Sequence, residues 1–235
     1  MKMLAIICSC LLILASACST SVSGKLDAVL TNANGEDDGG DTGSNEENLD
    51  EINAGKQQLG VKSFIQIVET FESVTGFTRG ANQSIRNYYN SNKAALPDSN
   101  SIEAFTASQR LAIFNLAYEF CRLPSDTDQI RADFYEGTIF GGRNDEGLPL
   151  PLGPPTQVLN SQANKLELIN HLLNKFWGTY QFSDRASAES ELTSMIDYLL
   201  STLQSGETLQ SNNVTKYVMA SVCTAALAAG PVILF

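Results

Sequence analysis

Few residues of this chain combine reactive chemistry with informative spacing, and each has to be weighed on its setting. Its one histidine, His171, follows Glu167 by four positions and precedes Lys175 by four, so the three share a helix face. Glu167 and His171 could give two ligands to a metal. No second histidine and no thiolate pair at ligand spacing joins them, so the expectation is a boundary histidine and no metal. Glu119, inside a strongly apolar run, is the candidate general acid for a glycan-acting hydrolase or lyase, because an apolar setting favours a protonated carboxyl. The competing reading pairs it with Arg122 or Arg131, or turns it to solvent, and is preferred. No G-x-S-x-G elbow is present, Gly141-Gly142-Arg143 lacks the Lys-Ser/Thr of a phosphate loop, and neither Cys121 nor Cys223 belongs to a haem-attachment run. The pattern calls for no cofactor.

Charge narrows the partners. The chain of 235 residues has a net charge of -11, unevenly placed. Between Cys18 and Lys56, nine carboxylates face only Lys25 and Lys56, among Gly, Asn, Ser and Thr and with almost no large apolar side chain after Leu30. Such a segment buries too little to offset the entropy of ordering and is expected to be a disordered, self-repelling tether over 18–56. Its Asp37, Asp38 and Asp41 lack the alternating register and terminal Glu of an EF-hand, so a calcium loop is not expected. Strong nucleic-acid binding is not expected either, since clustered Lys and Arg are missing.

The first residues carry an address. Lys2 precedes an apolar run from Met3 to Leu14, and Leu14-Ala15-Ser16-Ala17 leads into Cys18. A basic start, a short apolar core and small residues at the cut are the parts of a secretory signal, and the run falls short of the roughly 20 residues that span a bilayer. The segment 1–17 resembles the leader of bacterial lipoproteins cut by type II signal peptidase, with Ala15 where such leaders usually have Leu. The resemblance implies that Cys18 becomes the lipidated (palmitate-bearing) amino terminus, and Ser19 beside it resembles the pattern of lipoproteins sent to the outer membrane. The expected location is therefore the cell envelope, with the membrane as partner through a lipid anchor.

Two cysteines, Cys121 and Cys223, then remain in the mature chain. An even count in an oxidising compartment favours a disulfide, worth up to roughly 4.7 kcal/mol for a loop of about 100 residues, over two buried thiols.

From residue 57 to the end the apolar spacing is helical, and the expected fold is all-α, a single bundle of about six or seven helices. Val61, Phe64, Val68 and Phe71 form one stripe that Gly76 terminates. A polar helix over Ala81 to Asn92 turns Ile85 and Tyr88/Tyr89 inward, leaves Arg79 and Arg86 in solvent, and breaks at Leu96-Pro97. Thr106 to Gln109 has capping-box spacing and opens a helix that is apolar on most of its circumference, hence central and buried, ending at Leu123-Pro124. A short helix through Ile130 and Phe134 follows. Gly137 to Pro155, rich in Gly and Pro, reads as a long irregular loop. Three further helices carry Leu166 to Phe176, Leu192 to Leu203 with an end near Gly206, and Tyr217 to Ala229 with Gly230-Pro231 as a stop, after which Val232 to Phe235 packs back on the core.

Across this domain the pieces Val74-Thr75-Gly76, Tyr88-Tyr89, Ala107-Ser108-Gln109, Leu116-Ala117 with Glu119 and Cys121, and Cys223 to Leu227 resemble an uncharacterised helical module of bacterial envelope proteins, sometimes joined to laminin-G-like domains. That resemblance implies that Cys121 and Cys223 are partners; it implies no reaction. The leading expectation is a non-enzymatic envelope lipoprotein whose helical domain binds or assembles with an envelope protein or glycan. Its candidate contact surface is the Phe140 to Pro155 loop with Arg143, Leu148, Leu150 and Leu152.

Overall fold

The structure is a computed structural model and describes residues 62–93, 106–178, 184–203 and 209–233, all within one compact unit, Gln57–Phe235. The leader, Cys18, the tether, Leu96-Pro97, Gly206 and the last two residues lie outside the described residues. The fold is all-α. It runs α1 (Phe64–Thr75), α2 (Gln83–Asn92), α3 (Ala107–Asp126), α4 (Asp128–Phe134), α5 (Pro155–Val158), α6 (Gln162–Trp177), α7 (Arg185–Leu203), α8 (Asn212–Leu227) and α9 (Gly230–Ile233). Seven of these answer to the expected helices, and α5 and α9 are single turns. Among the described residues no helix is long and apolar enough to cross a membrane.

The helix ends follow local chemistry. Thr106 and Gln109 form the capping box of α3, with the Gln109 amide donating to Thr106 Oγ1 at 3.4 Å and the Thr106 amide to Gln109 Oε1 at 2.7 Å. Gly76 closes α1 at φ 77°, a left-handed conformation costly for residues with a Cβ. Asn82 caps α2, its Oδ1 accepting from the amides of Ser84 and Ile85, so this helix starts two residues later than its apolar pattern suggests.

Two terminations differ from expectation. Helix α3 continues through Pro124 to Asp126, because a proline in the last turn forfeits a single backbone bond and Ser125 Oγ donates to the Cys121 carbonyl at 3.0 Å. Helix α8 ends at Leu227, and Gly230-Pro231 starts a new turn instead of stopping the old one, since proline is tolerated in a first turn. That turn brings the chain end back: Val232 is buried, and the Lys62 amide donates to the Ile233 carbonyl at 3.0 Å.

The centre is the seam between α3 and α8. Leu116, Ala117, Phe120 and Cys121 on α3 and Val218, Met219, Val222 and Cys223 on α8 are all buried. The two cysteines form a disulfide with Cα atoms 5.6 Å apart. Phe71 of α1 meets Phe120 edge-on at 5.8 Å, and Leu168, Leu172 of α6 and Ile196, Leu199 of α7 complete the core. Helix α3 is less enclosed than its composition suggests. Leu111 is 45% exposed, and Phe114, Asn115 and Tyr118 are half-buried, so the helix lies at the edge of the bundle on one face.

Candidate functional site

The segment after α4 is a long loop, as its Gly and Pro content predicts, with only a 3-10 turn and an isolated bridge of regular structure, but it is tied down at many points. Arg131 of α4 is 1% exposed, and its guanidinium faces the loop. Nε donates to the Phe140 carbonyl at 3.0 Å, Nη2 to the Leu150 carbonyl and Nη1 to the Asp128 carboxylate. A buried cation is tolerated only when its donors are satisfied, and here two backbone carbonyls and a carboxylate from three stretches of chain do so. The sequence named Arg131 only as a potential mate for Glu119. Nothing in its local pattern separates an anchoring arginine from a solvated one.

Further ties fix the rest. A 3-10 turn spans Ile139–Gly141, and Thr138 Oγ1 accepts from the Phe140 amide at 3.2 Å. A Cβ on Gly141 would overlap the Tyr135 carbonyl, so only glycine fits there. From Gly142 to Leu150 the chain doubles back as a short hairpin: the Leu150 amide donates to Gly142 O and the Asn144 amide to Leu148 O, both at 2.9 Å. Arg143 and Pro149 form an isolated antiparallel bridge. Asn144 Oδ1 closes the tip by accepting from the Glu146 and Leu148 amides, and Gly147 takes φ 77°. Arg143 itself ion-pairs with Asp133 and donates to the Gly147 carbonyl at 2.7 Å, so it braces the hairpin internally. On the far side, Thr215 of α8 donates to Gly153 O at 2.8 Å.

Leu148, Leu150 and Leu152 alternate with Pro149 and Pro151 along the second half of the loop, and their fates differ. Leu148 is 56% exposed and Leu150 47%, whereas Leu152 is 5% exposed and belongs to the core. Leu152 therefore is not a contact residue, as expected from the sequence, but the apolar root of the loop. Ile139, on the 3-10 turn before the hairpin, is also 47% exposed.

Helix α6 holds the base of the loop with the face that the sequence singles out. Glu167 Oε1 accepts from the Ile139 amide at 3.1 Å, and His171 Nε2 lies 2.9 Å from the Phe134 carbonyl. Lys175 Nζ sits 4.6 Å from the centre of the Phe134 ring. Burial pushes the His171 pKa down, the bond to Phe134 opposes this, and Lys175 adds to the lowering. Burial likewise lowers Lys175. The Tyr135 phenol, buried against His171 and Phe140, is pushed up by burial. The Ser125 hydroxyl, whose proton goes to the Cys121 carbonyl, interacts with it as an acceptor and opposes this, although the Tyr135 hydroxyl makes no bond of normal geometry. Among the described residues no three His, Cys, Asp or Glu side chains gather as a metal site.

Glu119 lies elsewhere. Its carboxylate accepts from Ser84 Oγ at 2.5 Å and from Arg122 Nη2 at 3.1 Å, while Arg122 Nη1 holds Asp126 at 2.7 Å. One guanidinium thus holds two carboxylates of the same helix, and Ser84 ties them to α2. Glycan cleavage requires two carboxyl groups flanking a bond across a cleft, and Glu119 and Asp126 are gathered on one side of a clamp instead. Arg79 is also drawn in. It pairs with Glu72 at 3.5 Å and lies 4.7 Å from the Tyr89 ring centre, where the sequence reading leaves it in solvent. An open depression of about 490 Å3 runs along α1, lined by Lys62, Gln66, Glu69, Thr70 and Ser73. Three of its polar groups are engaged with backbone: Lys62 Nζ donates to the Val232 carbonyl at 2.8 Å, Thr70 Oγ1 donates to the Gln66 carbonyl, and Gln66 Oε1 accepts from the Ser63 amide.

No family model matches this chain, and no curated protein or solved structure matches it.

Proposed function

We propose that this protein is a lipid-anchored lipoprotein of the cell envelope, acylated at Cys18, whose helical domain serves as a binding or assembly module without catalysis. The leader and the acidic segment support the address and the spacing from the membrane. A disulfide buried in the central seam supports an oxidising compartment, since such bridges persist outside the reducing cytosol.

The observation that carries the binding role is the hairpin. Leu148 and Leu150 stand in solvent on a base held by the buried Arg131, and exposed aliphatic side chains on a rigid base give a contact surface that loses little entropy on docking. The Phe140 to Pro155 loop, with Arg143 as its internal brace and Leu152 as its root, is the surface to which an envelope protein or glycan would attach.

Two measurements test this. Labelled palmitate should enter the parent chain and leave the Cys18→Ala chain unlabelled and unbound to membranes; equal labelling of both removes the anchor. Co-purification from crosslinked intact membranes should retain a partner on the parent and lose it on a Leu148→Ser, Leu150→Ser chain whose circular dichroism is unchanged. Undiminished recovery removes the loop.

A further inference from the structure

Leu148 and Leu150 stand exposed on either side of Pro149 in the returning arm of the hairpin, with the Leu150 side chain beside Gly142, and Ile139 is exposed on the 3-10 turn that precedes the hairpin. Their surroundings are acidic. Residues 128–150 contain Asp128, Asp133, Glu136, Asp145 and Glu146 against two arginines, and both arginines are engaged, Arg131 with Asp128 and Arg143 with Asp133. Glu136, Asp145 and Glu146 are exposed, and among the described residues none has an ion-pair partner. The patch is therefore an exposed leucine pair beside a negative rim, the hairpin tip with Asp145 and Glu146, that no ion pair among the described residues compensates.

We propose that this patch docks a protein segment that is aliphatic at its centre and carries lysine or arginine at its edge. The inference rests on the binding-module reading above and adds the chemistry of the partner. Desolvating the leucine pair requires a complementary apolar surface, and the carboxylates beside it choose which one by charge. An anionic lipid surface brings negative potential against a negative rim. A second copy of the chain brings the same rim and the same net charge of -11. A glycan's hydroxyls find acceptors at the Asp145 and Glu146 carboxylates, but its hydroxyl-rich surface leaves the aliphatic Leu148 and Leu150 without an apolar partner and makes no use of the charge. A basic, amphipathic protein segment satisfies both the leucine pair and the rim. Rim charges act mainly on encounter and selectivity, so the pairing weakens as salt rises.

The test uses the full chain in intact cells, with a photo-crosslinking residue in place of Leu148 and, as control, in place of Ile65, an equally exposed aliphatic residue (52%) on α1. The linked peptide is sequenced by mass spectrometry. The expected product is specific to position 148 and maps to a protein segment of net positive charge with apolar residues between its cations. Asp145→Lys with Glu146→Lys, both at exposed tip positions, should lower its yield about tenfold, as reversal of two rim charges implies. A linked lipid, glycan, second copy or acidic segment overturns the proposal and leaves the loop as a docking surface. Products no more abundant from 148 than from 65 overturn the docking surface as well.

Discussion

The α3–α8 seam and the 137–154 loop are held by opposite means, and the contrast shows where this fold is robust and where it is adjustable. The seam is apolar: fully buried Leu116, Phe120, Val218 and Val222 surround a covalent bridge between Cys121 and Cys223. Its stability comes from burial, which is non-directional, and from a cross-link between residues 102 apart in sequence that restricts the unfolded chain. The loop buries Leu152 and Phe140 but is otherwise positioned by directional polar bonds, from Arg131, Arg143, Glu167 and Thr215, with His171 bonded to the end of α4 just before it. Such bonds give a defined shape to backbone that has no helix of its own, and they respond to charge and pH as the seam does not.

The largest effect expected from breaking this contrast is at the bridge. Cys121→Ala with Cys223→Ala should lower unfolding free energy by about 4 kcal/mol in urea titrations, with the helical spectrum of the folded state retained. A loss below about 1 kcal/mol would place the robustness of the seam in packing alone. Next is Arg131→Met, which leaves the Phe140 and Leu150 carbonyls without their donor and should cost about 3 kcal/mol. Hydrogen exchange separates it from a core defect. Protection should fall at the Leu150 and Asn144 amides while the α8 amides follow only the global stability; uniform loss would make Arg131 an ordinary core residue.

Gly141→Ala should cost about 1–3 kcal/mol by forcing the loop away from the Tyr135 carbonyl, with the same local exchange signature. A smaller effect comes from acid. Because burial lowers the His171 pKa, the folded state favours the neutral ring, so its contribution is complete above about pH 6.5 and is lost as pH falls below that value towards the lowered pKa. Fluorescence or exchange at the loop base should show loosening in that window, and His171→Gln should flatten it; an unchanged profile in the variant would move the titration elsewhere. Smallest of all, Leu148→Ser with Leu150→Ser should change stability by no more than about 0.5 kcal/mol, because both side chains already stand in water. A larger loss would mean that they support the hairpin.

The helices were legible because their signals are local. The capping box at Thr106, the stop at Gly76 and the spacing of Ile169, Leu172 and Phe176 each state a preference that tertiary packing did not override. Pro124 and Gly230-Pro231 signal breaks, because an isolated proline most often ends a helix, yet each sits in a terminal turn where the missing amide matters little. Spacing also placed Glu167, His171 and Lys175 on one face, but not what that face meets. Glu167 holds the Ile139 amide at the start of the loop, and His171 and Lys175 meet Phe134, the last residue of α4 before it. The loop leucines illustrate the limit most clearly. Leu148, Leu150 and Leu152 are alike in sequence, and only the path of the loop into the bundle makes one core and two surface.

By itself the sequence determined an all-α domain, most of its helix ends and a leading place for a buried, bridged seam, since periodicity, caps and composition act over a few residues. Tertiary structure alone decided that Arg131 is buried among the Phe140 and Leu150 carbonyls, that Glu119 is held by Arg122 and Ser84, and that Gly142 to Leu150 folds as a hairpin. The reason is geometric: each depends on where backbone carbonyls and side chains from distant segments come to lie, and no run of neighbouring residues encodes that position.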